Sequence, residues 1–358
     1  MKIIQILTTI SMGDAVSNDT LAICNIIKEM GYQTAIYAEF IDDRLPKKTA
    51  QVVEKLKGVE DDDIIIYHLS TGTELNYRFG ELPGRKIVIY HNITPSAFFD
   101  GYSDKLRDQC QYGIDSVKAL ADKVEYCICD SQFNKLNLID MGYKCPIDVV
   151  PIIIPFEDYE KQPSEEIISR YLDDGYTNVL FTGRIAPNKK QEDVIGAFYF
   201  YQKYYNPKSR LFLIGSQNEN ERYAFRLQSY INALGVENVE LLGHVSFADI
   251  LAYYRCADIF LCQSEHEGFC VPLAEAMFFK VPIVAYDAAA IKWTLGGSGI
   301  LLDKKNRVET AGVINRLVTD EELRTKVINN EQDRLNDFNY EKVSKEFKQC
   351  LNKFIEMK

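Results

Sequence analysis

Two of the three carboxylates in Ser264-Glu265-His266-Glu267-Gly268-Phe269-Cys270-Val271-Pro272-Leu273-Ala274-Glu275, Glu267 and Glu275, sit on either side of a turn. The apolar run Ile259–Cys262 leads into this segment, and Pro272 suits the first turn of a helix leaving it. Glu267 then belongs to the loop and Glu275 to the early helix, so both can face the carboxyl end of the strand. Carboxylates in that position accept paired hydrogen bonds from vicinal hydroxyls, as on a ribose or a hexose. Gly268 lets backbone approach a ligand, and the N–H groups near Phe269, Cys270 and Val271 suit a phosphate. The competing use of the same acids is helix capping.

Cations occupy a second loop, Phe181-Thr182-Gly183-Arg184-Ile185-Ala186-Pro187-Asn188-Lys189-Lys190. The planar fork of Arg184 and the point charge of Lys189 together suit a diphosphate, although lone basic loop residues are commonly solvated. The loop is not a P-loop, because G-x-x-x-x-G-K-[ST] is absent. His91, in Tyr90-His91-Asn92-Ile93-Thr94-Pro95, can present a ring nitrogen to a substrate from a strand end. His68 has the same placement, and His244 follows Leu242-Gly243 in the second half; each is equally readable as a structural histidine. Histidine pairs with H-E-x-x-H spacing are lacking, so no metal is expected. Gly13, after the first strand, can bring backbone beside a sugar or phosphate. Its loop lacks the G-x-G-x-x-G fingerprint, and Asp14 and Asn18 read as caps of the next helix.

These loops need strands and helices to hold them. Short apolar runs at Ile3–Thr9, Thr34–Tyr37, Ile64–His68, Lys86–His91, Tyr126–Cys129 and Ile147–Ile154 form one series. Asn178–Thr182, Leu211–Ile214, Val239–Leu242, Ile259–Cys262, Ile283–Ala285 and Ile300–Leu302 form a second. Amphipathic segments such as Asn18–Met30, Lys105–Lys123, Gln191–Tyr204 and Glu219–Leu234 lie between them, which implies βαβ units and parallel sheets. The expected class is α/β, with two doubly wound Rossmann-like domains facing across a cleft. The polar, proline-bearing stretch after Pro155 places the seam near residue 160, giving domains 1–160 and 161–339. The tail, 340–358, keeps helical apolar spacing through Val343, Phe347, Leu351, Phe354 and Ile355, and can pack back on either domain, the first included.

The chain has 358 residues, 46% hydrophobic and 26% charged, a soluble-globule composition that excludes disorder, collagen and coiled coil. Its formal net charge of −11 opposes non-specific nucleic-acid binding while leaving room for a local basic pocket. Apolar stretches all fall short of the ~20 residues of a membrane span, and the N-terminus reads as a strand rather than a leader. Nine scattered cysteines without a C-x-x-C pair fit buried thiols in a reducing cytoplasm.

The ordered set of loops resembles the GT-B glycosyltransferases, specifically the retaining family 4 enzymes, glycosyl transferases group 1. Glu267 and Glu275 match its E-x(7)-E pattern. Gly183-Arg184 with Lys189, Leu242-Gly243-His244-Val245, Tyr253–Asp258, Tyr90–Pro95 and Asp130-Ser131-Gln132-Phe133-Asn134 extend the match from Gly13 to about Leu302. The resemblance implies transfer of a hexose from a nucleotide-diphosphate sugar to an acceptor hydroxyl, with anomeric configuration retained and no cofactor or metal. By that resemblance Arg184 and Lys189 hold the diphosphate, Glu275 the ribose hydroxyls and Glu267 the transferred sugar. Backbone N–H groups around Gly268, Phe269, Cys270 and Val271 meet phosphate, and His244 lies where donor contacts are expected. His91 reaches the donor sugar and Gly13 lines the same space. Cys270 stands where many relatives carry glycine, and Lys292-Trp293 where many carry Pro-Glu. GDP-mannose is the first donor expectation and UDP-sugars the second. The expected acceptor is a saccharide or lipid-linked saccharide, in polysaccharide or glycolipid synthesis. The enzyme is then cytoplasmic, with peripheral contact to the inner membrane face as an option. The other readings are a non-catalytic GT-B partner of another transferase, and a nucleotide-sugar epimerase.

Overall fold

Strands and helices alternate along the computed structural model, which describes Met1–Met357. The order begins β1 (Ile3–Ile10), α1 (Ala15–Glu29), β2 (Thr34–Ile41), β3 (Gln51–Val52), β4 (Ile64–Leu69), α2 (Glu74–Glu81) and β5 (Arg85–Tyr90). It continues with α3 (Asp104–Ala119), β6 (Tyr126–Cys129), α4 (Gln132–Asp140) and β7 (Ile147–Val149). The second series is α5 (Glu165–Tyr171), β8 (Thr177–Thr182), α6 (Gln191–Tyr204), β9 (Ser209–Ile214), α7 (Glu221–Leu234) and β10 (Val239–Gly243). Then follow α8 (Phe247–Cys256), β11 (Ile259–Cys262), α9 (Val271–Phe278), β12 (Ile283–Tyr286), α10 (Ile291–Leu295) and β13 (Ile300–Leu302). Three helices close the chain: α11 (Arg307–Thr319), α12 (Glu321–Leu335) and α13 (Tyr340–Glu356).

The chain divides into two units. The first holds Met1–Ala97, Lys105–Pro155 and the tail from Phe338, and the second Phe98–Asp104 with Phe156–Asp337. The division therefore falls at Pro155–Phe156 instead of after residue 160. The reason is aromatic packing: Phe156 stacks on Phe278 and Tyr159 packs edge-on against the same ring, both inside the second unit. The short segment Phe98–Asp104 also belongs to the second unit, where Tyr102 meets the Tyr223 ring edge-on.

The first unit's sheet runs β3-β2-β1-β4-β5-β6-β7, all parallel. Its strands bury both faces, and the two-residue period sorts the side chains. Ile3, Ile64, Ile66, Ile87, Ile89, Tyr126 and Ile128 meet α1 and α13 on one face. Ile4, Ile6, Ile65, Tyr67, Val88, Tyr90, Cys127 and Cys129 meet α2, α3 and α4 on the other. The tail helix thus packs on the first unit, through Val343, Phe347, Leu351 and Phe354. Arg85 caps the end of that helix by donating to the Phe354 and Met357 carbonyls at 2.7 and 2.8 Å. Of the expected run Ile147–Ile154, only Ile147–Val149 pairs as a strand; Val150, Ile152, Ile153 and Ile154 are buried outside it.

The second unit's sheet runs β10-β9-β8-β11-β12-β13, again all parallel. Val179, Phe181, Leu211, Leu213, Ile259 and Leu261 pack under α6, α7 and α11. The opposite face is aromatic, with Phe212 between Tyr171 and Tyr253 at ring distances of 4.9 and 4.8 Å. All nine cysteines are free thiols, and no described helix is long and apolar enough to cross a membrane.

Candidate functional site

Parallel strands leave their carboxyl ends and the following helix N-termini on one edge of a sheet. In the second unit the loops after β8, β9, β11 and β12 meet there. A Cβ on Gly215 (φ +156°) would fall 1.9 Å from the Gly183 carbonyl oxygen, so only glycine lets the loops after β8 and β9 touch. The loop after β8 is joined to the loop after β11, since Glu265 N–H donates to the Asn188 carbonyl at 2.8 Å. Asn188 Nδ2 donates in return to the His266 carbonyl at 3.1 Å. This seam sets Lys189 against Glu267, with Nζ 2.6 Å from Oε2 and side chains only 16% and 8% exposed. Glu265 is held in turn by Lys190 at 3.2 Å and Lys305 at 2.8 Å, and Lys305 also reaches Asp193.

Cys270 is the N-cap of α9 and adopts the left-handed conformation, φ 75° and ψ 67°. That explains why a glycine is the easier residue here: an L side chain in this region costs of order 1 kcal/mol or more. Its thiol is buried and pushed well above its ordinary value by its hydrogen bond to Cys262 and by burial. Pro272 lies in the first helical turn, so the N–H groups at this terminus point out of the helix with positive potential.

Glu275 follows one turn later. Tyr159 Oη donates to its Oε1 at 2.9 Å and Tyr254 Oη to its Oε2 at 2.7 Å. Burial raises this carboxyl above its ordinary value, and the two phenols oppose the shift by bonding the charged form. Arg184 is exposed after β8; among the described residues its guanidinium has no ion pair, while its carbonyl accepts from Gln191 Nε2 at 2.9 Å. His244 is also exposed, at the end of β10, in a loop joined to β9 by Gly215 N–H donating to the Gly243 carbonyl at 2.9 Å. Trp293, on α10, is 40% exposed with Lys292 over its ring at 5.5 Å.

The first unit gathers a different set at its strand ends. His91 Nδ1 lies 2.9 Å from Asp130 Oδ2, and His91 Nε2 3.1 Å from His68 Nδ1; His68 Nε2 lies 2.9 Å from Gln5 Oε1. Asp19 Oδ2 stands 3.8 Å from His68 Nδ1, and its Oδ1 accepts from Ile153 N–H at 2.9 Å. Both ring nitrogens of His91 are therefore engaged inside this unit, and its side chain is 3% exposed. Burial works against a charge on His91, but Asp130 and Asp19 outweigh it and hold the ring above its ordinary value. Burial and the neighbouring His91 push His68 well below. The contacts form one line of hydrogen bonds running from Asp130 through His91 and His68 to Gln5.

Asp19, His68 and His91 also have the donor types of a transition-metal centre. Their geometry is that of a hydrogen bond instead. The ring centroids are 5.4 Å apart with planes 7° from parallel, which is the N···N separation plus one ring radius on each side. The two lone-pair directions thus point head to head along one line, where ~2 Å metal–nitrogen bonds do not fit within 3.1 Å. Gly13 lies apart from this network, exposed after β1 with φ +78°, while Asp14 caps α1 by accepting from Ser17 N–H at 2.9 Å.

The structure thus brings Lys189, Glu267, Gly268, Phe269, Cys270, Val271 and Glu275 into one strand-end region, with Arg184 exposed in the loop after β8. His91 and Gly13 belong to the first unit. Sequence reasoning did not find Tyr159, Asp193, Lys305 or the role of Tyr254. Tyr254 lies in the Tyr253–Asp258 segment that carried the resemblance, but nothing in the spacing pairs it with Glu275.

Residues 164–334 match the family model described as glycosyl transferases group 1. The capsular polysaccharide biosynthesis glycosyltransferase CapM of Staphylococcus aureus is 28% identical over 249 residues, 67% of this chain and 62% of that protein. The O-antigen chain mannosyltransferase B of Escherichia coli is 22% identical over 224 residues, 61% of this chain and 57% of that protein. The matches thus span less than two thirds of either relative's length. Anabaena HepE (Alr3699), solved in complex with UDP-glucose, superposes with a TM-score of 0.76 at 18% identity, covering 99% of this chain and 100% of that one. The chain accordingly has the GT-B fold, and its residues 164–334 are similar to the glycosyl transferases group 1 family.

Proposed function

We propose that the protein is a retaining glycosyltransferase that moves a hexose from a nucleotide-diphosphate sugar to an acceptor hydroxyl. The observation that carries this reading is the Lys189–Glu267 pair beside the N-terminus of α9, with Glu275 one turn further on. It sets a cation, outward N–H groups and two carboxylates at the end of one sheet, the complement of a diphosphate flanked by two polyols. Arg184, Lys189 and the N–H groups of Gly268 to Val271 neutralise the departing diphosphate, whose charge grows in the transition state. Glu267 accepts from hydroxyls of the transferred sugar and Glu275 from the ribose. Positive charge supplied by side chains and backbone dipoles makes the transfer metal-independent. The leaving phosphate takes the acceptor's proton, so the sugar stays on the same face.

GDP-mannose is the first donor to test and UDP-glucose the second, in line with a mannosyltransferase among the relatives and a UDP-glucose complex among the structural neighbours. The acceptor is a growing saccharide, free or lipid-linked, on the cytoplasmic side of the membrane. The test is release of nucleoside diphosphate from GDP-, UDP-, ADP- and dTDP-sugars in EDTA, for wild type, Glu267→Ala and Arg184→Ala. Turnover of one donor, lost in both variants, supports the reading, and product anomeric configuration by NMR checks retention. Absence of both turnover and binding for every donor overturns it in favour of a non-catalytic GT-B partner.

A further inference from the structure

A carboxylate has about four lone-pair directions, two on each oxygen. At Glu275 one direction on each oxygen is already taken, Oε1 by Tyr159 and Oε2 by Tyr254. One acceptor direction per oxygen remains, and the residue is only partly buried. Two acceptors held side by side match the two donors of a cis-diol.

The direction of the supporting chain follows from proton counting. Tyr254 Oη lies 2.7 Å from Glu275 Oε2 and 2.6 Å from Thr182 Oγ1, and it has one proton to give. The charged acceptor takes it, because hydrogen bonds to an ionised group are the stronger ones. Thr182 then donates to Tyr254, which donates to Glu275. Thr182 is the last residue of β8 and directly precedes Gly183-Arg184, so the carboxylate is referenced to the strand that carries the cation loop. Tyr159 has its own anchor, with its ring edge-on to Phe278, which follows Glu275 on α9.

We propose that Tyr159 and Tyr254 are positioning residues that orient the Glu275 carboxylate toward a ribose cis-diol, making the site selective for ribonucleoside over 2′-deoxyribonucleoside diphosphates. The proposal rests on the reading of Glu275 as the ribose contact. Without the phenols the carboxylate can rotate about its last side-chain bond, and paired acceptance from two adjacent hydroxyls becomes one of several arrangements. Selectivity then falls while the rest of the nucleotide still binds.

Isothermal titration with UDP and GDP and with their 2′-deoxy counterparts tests this on wild type, Tyr159→Phe, Tyr254→Phe and Glu275→Ala. Wild type should prefer the ribonucleotide by roughly ten- to hundredfold, the range of one hydrogen bond to a charged group. Each phenylalanine variant should bring that preference to within about threefold while leaving affinity for the 2′-deoxynucleotide nearly unchanged, whereas a merely structural role would weaken both ligands together. A preference retained in both phenylalanine variants but abolished by Glu275→Ala overturns the positioning role alone. Equal binding of both sugars by wild type, unaffected by Glu275→Ala, overturns the reading of Glu275 itself. Should Tyr254→Phe fail to fold, Tyr159→Phe and Thr182→Val carry the same comparison.

Discussion

Asp19 is the residue on which the first unit's proton balance turns. Burial lifts its carboxyl to about 7, against the lowering effect of His91, and it lines with Asp130 a cavity of about 10 Å3, room for roughly one water. Between its ordinary value and about 7 the folded chain holds a proton that the unfolded chain has released. Its contribution to stability is therefore complete below about pH 4 and is lost as pH rises through about 7. The melting temperature of wild type relative to Asp19→Asn should fall between about pH 4 and 7 and level off above that; a constant difference across this range would exclude the raised carboxyl. Cys270 poses a backbone question at the same scale. Since its φ of 75° favours glycine, Cys270→Gly should be more stable than Cys270→Ala by about 1 kcal/mol in denaturant titrations. Both variants lose the thiol, so the comparison sets the left-handed backbone against one buried methyl group.

At the scale of elements, α13 shows how an amphipathic helix becomes part of a fold distant in sequence. Its apolar stripe covers the face of the sheet that carries Ile3, Ile64, Ile87 and Tyr126. Phe347 and Phe354 are 1% and 0% exposed there. Phe347→Ala should lower stability by roughly 3–5 kcal/mol, the cost of emptying a buried aromatic site, and the loss should be readable in equilibrium denaturation. The stripe was legible in Val343, Phe347, Leu351 and Phe354; its destination was not, because a 3.6-residue period says that a face is buried and not against what. The His68–His91 pair has a similar origin. Both residues were legible as strand ends, but their contact follows from the parallel register that sets His68 opposite Ile89 and Leu69 opposite Tyr90.

For the whole molecule, ligand linkage gives the broadest test. A nucleoside diphosphate that binds the folded second unit at a hundred times its Kd should stabilise it by about 2.7 kcal/mol. In EDTA, GDP or UDP should raise the melting temperature of wild type. Lys189→Ala should lose most of that rise at the same concentration, because it removes the cation and leaves Glu267 unpaired. A rise that survives in Lys189→Ala would remove Lys189 from the diphosphate contacts. The net charge of −11 gives bulk attraction no part in binding an anionic ligand, so any affinity found is expected to be local in origin.

The alternation of apolar strands with amphipathic helices, read from the sequence alone, determined two parallel α/β units and the loops in which Arg184, Lys189, Glu267 and Glu275 lie. Strand-end loops are legible because each follows its own strand locally in the chain. The partners that give those residues their direction were decided only by the tertiary structure. Tyr159 and Glu275 are 116 residues apart in the chain, and Lys189 and Glu267 are 78 apart. So too with His91: its strand-end position was readable, yet only packing engaged both ring nitrogens, with Asp130 and His68. Local patterns report which face a residue takes; hydrogen-bond partners depend on how distant strands are set side by side.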